Sequence, residues 1–280
     1  MQLKIFFVLL ILLYHNSSYS KVTGKNDFNQ KYLSNYFSAL VSSDNNRNDD
    51  AVKFFYSSRF LIKKHDNFLK EYVFSLVLEG QVKKAINLIK YSKNSNFFEA
   101  DLLLALESIT KKNYKKAQRS LRKLSNYKES GTYEFVIIDT LDSYNNLFLN
   151  KKINEKNKNL GKIDLITNAF QNCYLNTDKT NSHFTNLINS EKGEYSRYLF
   201  FYLSNLIEKQ EYEIAKEISK TIKPLKSTLL ISQAKRWIDE KKYNKFYDYF
   251  SCKNENDLLA EFFFLISNIY SSEDSFNESN

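Results

Sequence analysis

The stretch from residue 69 to residue 89, LKEYVFSLVLEGQVKKAINLI, carries the pattern that decides the fold. Its first half has apolar residues at Leu69, Tyr72, Val73 and Leu76. Its second half, which follows a glycine at position 80, has a small residue at position 85 and an isoleucine four residues later. A pattern of this form indicates a repeat architecture when it recurs at a fixed period along the chain.

The same form recurs along the chain around Ala51, Ala85, Ala117, Ala215 and Phe246. Three of these positions follow a polar turn and an aromatic residue, as in NYKKA at 113–117, EYEIA at 211–215 and KYNKF at 242–246. The interval is 34 residues from Ala51 to Ala85, 32 from Ala85 to Ala117 and 31 from Ala215 to Phe246. A period in this range indicates a repeat protein built from small units.

Glycine and proline are scarce, with five and one among 280 residues, against averages of about 7% and 5%. All-β and dinucleotide-binding folds use these residues at turns and at tight corners between strands and helices. The hydrophobic fraction, 42%, is nevertheless that of a folded chain. The composition therefore predicts an all-α protein.

The chain resembles the tetratricopeptide repeat family, whose 34-residue unit is a helix–turn–helix with a small residue on its second helix. The resemblance covers about residues 32–124 and 196–280, and it implies an α-α superhelix, a solenoid of such repeats. Each unit buries an apolar face against the next one. We expect three repeats at 31–125, an irregular helical segment or diverged repeats at 126–195, and further repeats at 196–280. Within 126–195 the sequence predicts helices near 133–149, 163–175 and 183–189.

The last of these repeats is expected to be incomplete. Phe263, Ile266 and Tyr270 would form a first helix relative to Ser279, and the given sequence stops where the second helix should begin. A lone first helix would leave its apolar face uncovered. This predicts either a continuation of the chain or a dimer contact at this end.

The N-terminus resembles a secretory signal peptide at residues 1–20, followed by a linker at 21–30. Lys4 precedes an apolar run of ten residues, Ile5 to Tyr14, and Ser18 and Ser20 stand at the positions of a cleavage site. The run is too short for a membrane-spanning helix, which needs about 20 residues. The sequence predicts export, to the periplasm in a cell with two membranes.

No pattern for catalysis, a cofactor or a metal stands out. The five glycines are too far apart for a phosphate-binding loop, and the histidines and cysteines lack metal-ligand spacing. Cys173 and Cys252, 79 residues apart in different helical units, are expected to stay unpaired. We therefore expect a protein that is not an enzyme and carries no cofactor.

The net charge of +9 raises nucleic acid or an anionic membrane as a partner. The lysines are dispersed among asparagine, isoleucine and aromatic residues, which is typical of an AT-rich genome. Short basic pairs such as Lys115–Lys116 and Lys151–Lys152 are interpreted as solvated helix faces. No nucleic-acid partner is expected on this basis.

The resemblance also implies a concave groove lined by the first helix of each unit. Its residues stand eighteen, fifteen, eleven and eight positions before the small residue of the second helix. In the unit of Ala85 they are Asn67, Lys70, Phe74 and Val77; in the unit of Ala215, Arg197, Phe200, Ser204 and Ile207; in the unit of Phe246, Thr228, Ile231, Lys235 and Ile238. Lys70, Arg197 and Lys235 would bind a carboxylate of a peptide.

Three functions follow as hypotheses. The first is an exported, non-catalytic scaffold that binds a protein or peptide partner in this groove, within an envelope complex. The second is a helical-repeat protein that binds nucleic acid, since two-helix repeats of this length also recognise RNA. The third is the helical body of a cell-wall-acting enzyme.

Overall fold

The computed structural model describes residues 30–65, 67–93, 95–127, 132–153, 161–189, 196–220 and 228–277. These residues form thirteen α-helices and three short 3-10 helices, without a β-strand among them. The prediction of an all-α protein is therefore confirmed. The expected signal peptide at 1–20 lies outside the described residues, as does nearly all of the expected linker at 21–30.

The helices follow one another with short connections. They are α1 (Gln30–Asp44), α2 (Asn48–Ser57), α3 (Phe68–Leu78), α4 (Val82–Tyr91), α5 (Phe98–Thr110), α6 (Tyr114–Leu124), α7 (Tyr133–Asn150), α8 (Lys162–Leu175), α9 (Thr180–Asn189), α10 (Ser196–Glu208), α11 (Tyr212–Lys220), α12 (Leu229–Asp239) and α13 (Glu255–Asn277). The 3-10 helices are Arg59–Lys63, Ser125–Tyr127 and Tyr243–Phe246.

The chain divides into two compact units at residues 85 and 86, within α4. In the first unit α2 packs on α1 and on α3. Ala39 and Ala51 are fully buried in this unit. Phe55 packs edge-on against Phe68 and stacks on Tyr72, with ring centroids 5.4 and 5.5 Å apart. Aromatic side chains therefore form most of this small core, where each buries a large apolar area.

In the second unit, helices that follow one another along the chain pack in pairs, α5 with α6, α6 with α7, α8 with α9, α9 with α10 and α10 with α11. The contact of α10 with α12 joins two first helices of neighbouring repeats. Ala105, Ala117 and Ala215 are fully buried. Their lack of bulk permits the close approach of paired helices, and the pairing is that expected of an α-α repeat fold.

Six turns between helices end in the same way, with one residue in the left-handed conformation. These residues are Asn46, Gly80, Lys112, Asn176, Gln210 and Lys241. The next residue donates its backbone N–H to a carbonyl five positions earlier, as in Glu211 to Leu206 at 2.9 Å and Lys242 to Trp237 at 2.7 Å. This hydrogen bond caps the helix in a Schellman motif. The motif usually takes glycine, and its use here with asparagine, lysine and glutamine accounts in part for the scarcity of glycine.

The expected second helix at Phe246 is wrong. The chain forms only the 3-10 helix Tyr243–Phe246 there, and continues through a turn to Cys252, which is covalently bound to α8. The helix expected at Phe263, Ile266 and Tyr270 forms as part of α13, where Phe263 is half-buried and Tyr270 is 55% exposed. α13 is 23 residues long and packs back on α7, so that Leu258, Phe262 and Ile266 are buried.

Candidate protein-binding surfaces

The first predicted group lies at α3 and is open to solvent. Asn67 precedes the helix, and Lys70 and Phe74 are exposed one turn apart on it, with Val77 half-buried. Leu78 lies on the same exposed face, and the opposite face of α3 is buried against the core. Phe74 and Leu78 are 50% and 49% exposed. Two large apolar side chains one turn apart and a nearby lysine thus form an accessible surface.

A second open feature of the first unit was not predicted. A cavity of about 430 Å³ lies between α1 and α2, and its lining includes Phe37, Val41, Phe54 and Arg47. Phe37 and Val41 are more than half exposed and stand one turn apart on α1. They fall outside the repeat positions counted back from Ala51, so the repeat pattern does not predict them.

The second predicted group, at Arg197, does not line an open groove. Phe200, Ser204 and Ile207 belong to the buried core of the second unit. Phe200 stacks on Phe246 with ring centroids 5.5 Å apart, and the Ser204 hydroxyl donates a 2.9 Å hydrogen bond to the carbonyl of Phe250. The segment after α12 therefore occupies the space that a partner was expected to fill.

Arg197 itself binds the chain's own carboxylate. Its guanidinium donates from Nε and Nη2 to both oxygens of Glu261 on α13, at 2.6 to 2.8 Å, and lies 4.3 Å from the centre of the Phe264 ring. Glu261 is almost fully buried, whereas the Arg197 side chain keeps 43% of its surface in solvent. The geometry predicted for a peptide carboxylate is thus formed within the molecule.

The start of α13 is held by a second polar cluster. The Glu255 carboxylate accepts hydrogen bonds from the hydroxyls of Tyr114, at 2.5 Å, and Tyr174, at 2.7 Å, and Lys151 lies 3.8 Å away. Burial, and then the bond to Glu255, raise the pKa of both tyrosines well above the usual value. They remain neutral donors across the physiological range, so they hold Glu255 at any ordinary pH.

A disulfide joins Cys173 near the end of α8 to Cys252 before α13, with Cα atoms 5.7 Å apart. The expectation that the two cysteines stay unpaired is wrong, because α9 to α12 lead the chain back to the end of α8. The Lys253 ammonium donates to the carbonyls of Cys173 and Tyr174 at 3.1 and 3.0 Å. A cation at a helix C-terminus is favourable. Partial burial, aided by Lys209, lowers its pKa.

The third predicted group, on α12, is mixed. The Thr228 hydroxyl accepts a hydrogen bond from the Ile231 N–H and so caps the helix. Ile231 and Ile238 are buried, and Lys235 is exposed. The structure therefore leaves Lys235 and Thr228 as the accessible members of this group.

The residues that hold α13 in place were missed by the sequence analysis. Glu255 and Glu261 carry no local signal, because each is an ordinary helix residue whose partners lie more than sixty positions away.

Among the helices described, none combines the length and the apolar character needed to span a bilayer. No protein-family model, curated protein or solved structure matches the chain.

Proposed function

We propose that this chain is an exported, non-catalytic scaffold of the tetratricopeptide repeat type, which binds a protein or peptide partner on its first unit. The observation that carries the proposal is the exposed face of α3, where Phe74 and Leu78 stand half in solvent. Exposed apolar residues grouped on one helix face are typical of a docking site. The expected location is the periplasm.

The partner's chemistry follows from this face. Phe74 and Leu78 suit apolar side chains spaced one helical turn apart, and the exposed Lys70 suits a carboxylate beside them. A helix or extended peptide with one acidic and two apolar side chains fits both requirements. Binding at the second predicted group would require displacement of both α13 and the segment after α12, so the proposal places the partner on the first unit.

Crosslinking and pull-down from the native envelope test this function. The variants Lys70→Glu and Phe74→Ser change exposed side chains, so the fold should be kept, as circular dichroism can verify. We expect each to lose the same partner. The matched control is Ile214→Ser, which alters an exposed apolar residue of α11 in the second unit and should retain it. Retention of every partner by both α3 variants would refute the proposal.

A further inference from the structure

The solvent face of α6 and of the turn before it is strongly basic. Residues 111–123 read KKNYKKAQRSLRK and contain no acid. Ala117, Leu121 and Leu124 face the core, and the bases all lie on the exposed side. These bases are Lys111, Lys112, Lys115, Lys116, Arg119, Arg122 and Lys123.

Acidic neighbours neutralise only the two ends of this basic face. Lys111 forms an ion pair with Glu107 at 2.6 Å, and Lys123 lies near Asp101. Within the described part of the chain, the remaining five bases have no acidic side chain within ion-pair distance. The middle of the face therefore presents an uncompensated positive charge.

The bases in the first turn and the middle of α6 do not serve the helix. Lys115 and Lys116 stand in the first turn, where the helix dipole disfavours cations, and no acid accompanies them. Lys115 and Arg119 lie one turn apart, as do Arg119 and Lys123, and like charges at this spacing repel. Arg122 and Lys123, in the last turn, suit the helix dipole. The lysines of the first turn and the like-charge pairs oppose local stability, so they need an explanation outside the helix.

α11 shows what an ordinary solvated face looks like at the corresponding place in another repeat. Its exposed residues alternate in sign, with Glu213 and Glu217 among Lys216 and Lys220. α2 likewise combines Asp49 and Asp50 with Lys53, which contacts both. A lysine-rich composition alone would not distinguish α6 from these helices.

We propose that the basic face of α6 binds an anionic lipid bilayer. The bases of α6, from Lys115 to Lys123, lie along about 12 Å of the helix, at 1.5 Å per residue. No aromatic or aliphatic side chain is exposed among them, so the face lacks both a ring for stacking on single-stranded bases and the apolar centre of a protein interface. The long lysine and arginine side chains can contact the phosphates of an anionic bilayer without a stacking ring or an apolar centre. Export, which the signal peptide at residues 1–20 predicts, would bring the chain to such a surface.

Vesicle flotation of the purified protein without residues 1–20, whose apolar run would itself bind lipid, tests this proposal. Vesicles contain three parts phosphatidylglycerol and seven parts phosphatidylcholine, or phosphatidylcholine alone, in 0.1 M NaCl. We expect binding to the anionic vesicles only. The variant Lys115→Gln, Lys116→Gln, Arg119→Gln should bind about 100-fold more weakly, because each base near such a bilayer contributes roughly fivefold.

The control variant Lys216→Gln, Lys220→Gln, Lys245→Gln removes the same charge from exposed positions elsewhere and should bind nearly as the parent does. Absence of binding to the anionic vesicles would overturn the proposal. Equal weakening by both variants would also overturn it, because binding would then depend on the net charge and not on the face of α6. Tighter binding to a 20-base-pair DNA duplex, lost in the α6 variant, would assign the face to nucleic acid instead.

Discussion

The repeat pattern at Arg197 does not distinguish a residue that binds a partner from one that binds another part of the same chain. Arg197 stands at a repeat position expected to bind a partner, yet its guanidinium donates to both oxygens of the buried Glu261 and lies against the Phe264 ring. Because Glu261 keeps only 2% of its side-chain surface in solvent, the pair holds α13 against the start of α10. A substitution at Arg197 therefore tests the docking of α13 rather than partner binding.

Arg197→Glu should lower the free energy of unfolding by about 2 kcal/mol, since it leaves a buried carboxylate unpaired and sets a like charge beside it. Replacing both residues, as Arg197→Met with Glu261→Met, should cost less than the single change, because apolar side chains of similar length remove the need to desolvate charge. Denaturant unfolding measures both. Lys245→Glu, at an exposed position, is the control, expected within about 0.5 kcal/mol of the parent. An Arg197→Glu variant as stable as this control would contradict the role given to the pair.

The side chains buried between paired helices could be predicted from the sequence far better than the helix faces that stay exposed. Leu69, Tyr72, Val73 and Leu76, counted back from Ala85, are all buried as the repeat pattern requires. Spacing along one helix fixes which side chains share a face, so this part of the inference is local. Whether an outward helix face stays exposed depends on segments distant in sequence. The residues near Phe200 contain no pattern that predicts its burial by the segment after α12.

At the scale of elements, the turns show how this chain replaces glycine. Gln210 adopts φ of 61° between α10 and α11, and the following N–H closes the cap on Leu206. A left-handed conformation costs a residue with a Cβ about 1–2 kcal/mol more than it costs glycine. Among the residues that the structure describes, six with a Cβ adopt this conformation, namely Asn46, Lys112, Lys151, Asn176, Gln210 and Lys241.

Gln210→Gly should therefore raise the free energy of unfolding by about 0.5–1 kcal/mol, since the relief of backbone strain outweighs the greater freedom of glycine in the unfolded chain. The neighbouring substitution Lys209→Gly, at a residue whose φ is not positive, should lower it by a few tenths of a kcal/mol or more. Thermal unfolding of the two variants checks the opposite signs. Destabilisation by both would show that the turn is not strained at Gln210.

Helices were predictable where the pattern is continuous. The sequence interpretation of 126–195 included helices at about 133–149 and 163–175, and α7 and α8 lie within one residue of those bounds. The unit at Phe246 failed for a physical reason. Its aromatic residue is buried as the repeat requires, but the helix that should follow is replaced by the turn leading to the disulfide at Cys252. A covalent link between distant positions overrides local spacing, and no periodicity reports it.

At the scale of the molecule, the second unit closes on itself. The disulfide, Lys253, Glu255 and Glu261 attach the segment from residue 252 onward to α6, α8 and α10. All of these contacts lie between residues 86 and 280, the second compact unit. The loop closed by the disulfide spans 79 positions, and a cross-link over such a loop restricts the unfolded chain strongly.

The double variant Cys173→Ala with Cys252→Ala should cost the second unit about 4 kcal/mol of unfolding free energy, from loop entropy alone. Native-state hydrogen exchange resolves where the loss falls. Amides of α8 and of the first half of α13 should exchange faster in the variant, because the disulfide and Lys253 hold these two helices together. Amides of α1 to α3 serve as the internal reference, since their buried aromatic core contains none of these contacts, and their exchange should be unchanged. Unaltered protection of α8 and α13 would mean that the polar contacts of Glu255 and Glu261 are sufficient, whereas an equal loss in α1 to α3 would show that the two units unfold as one.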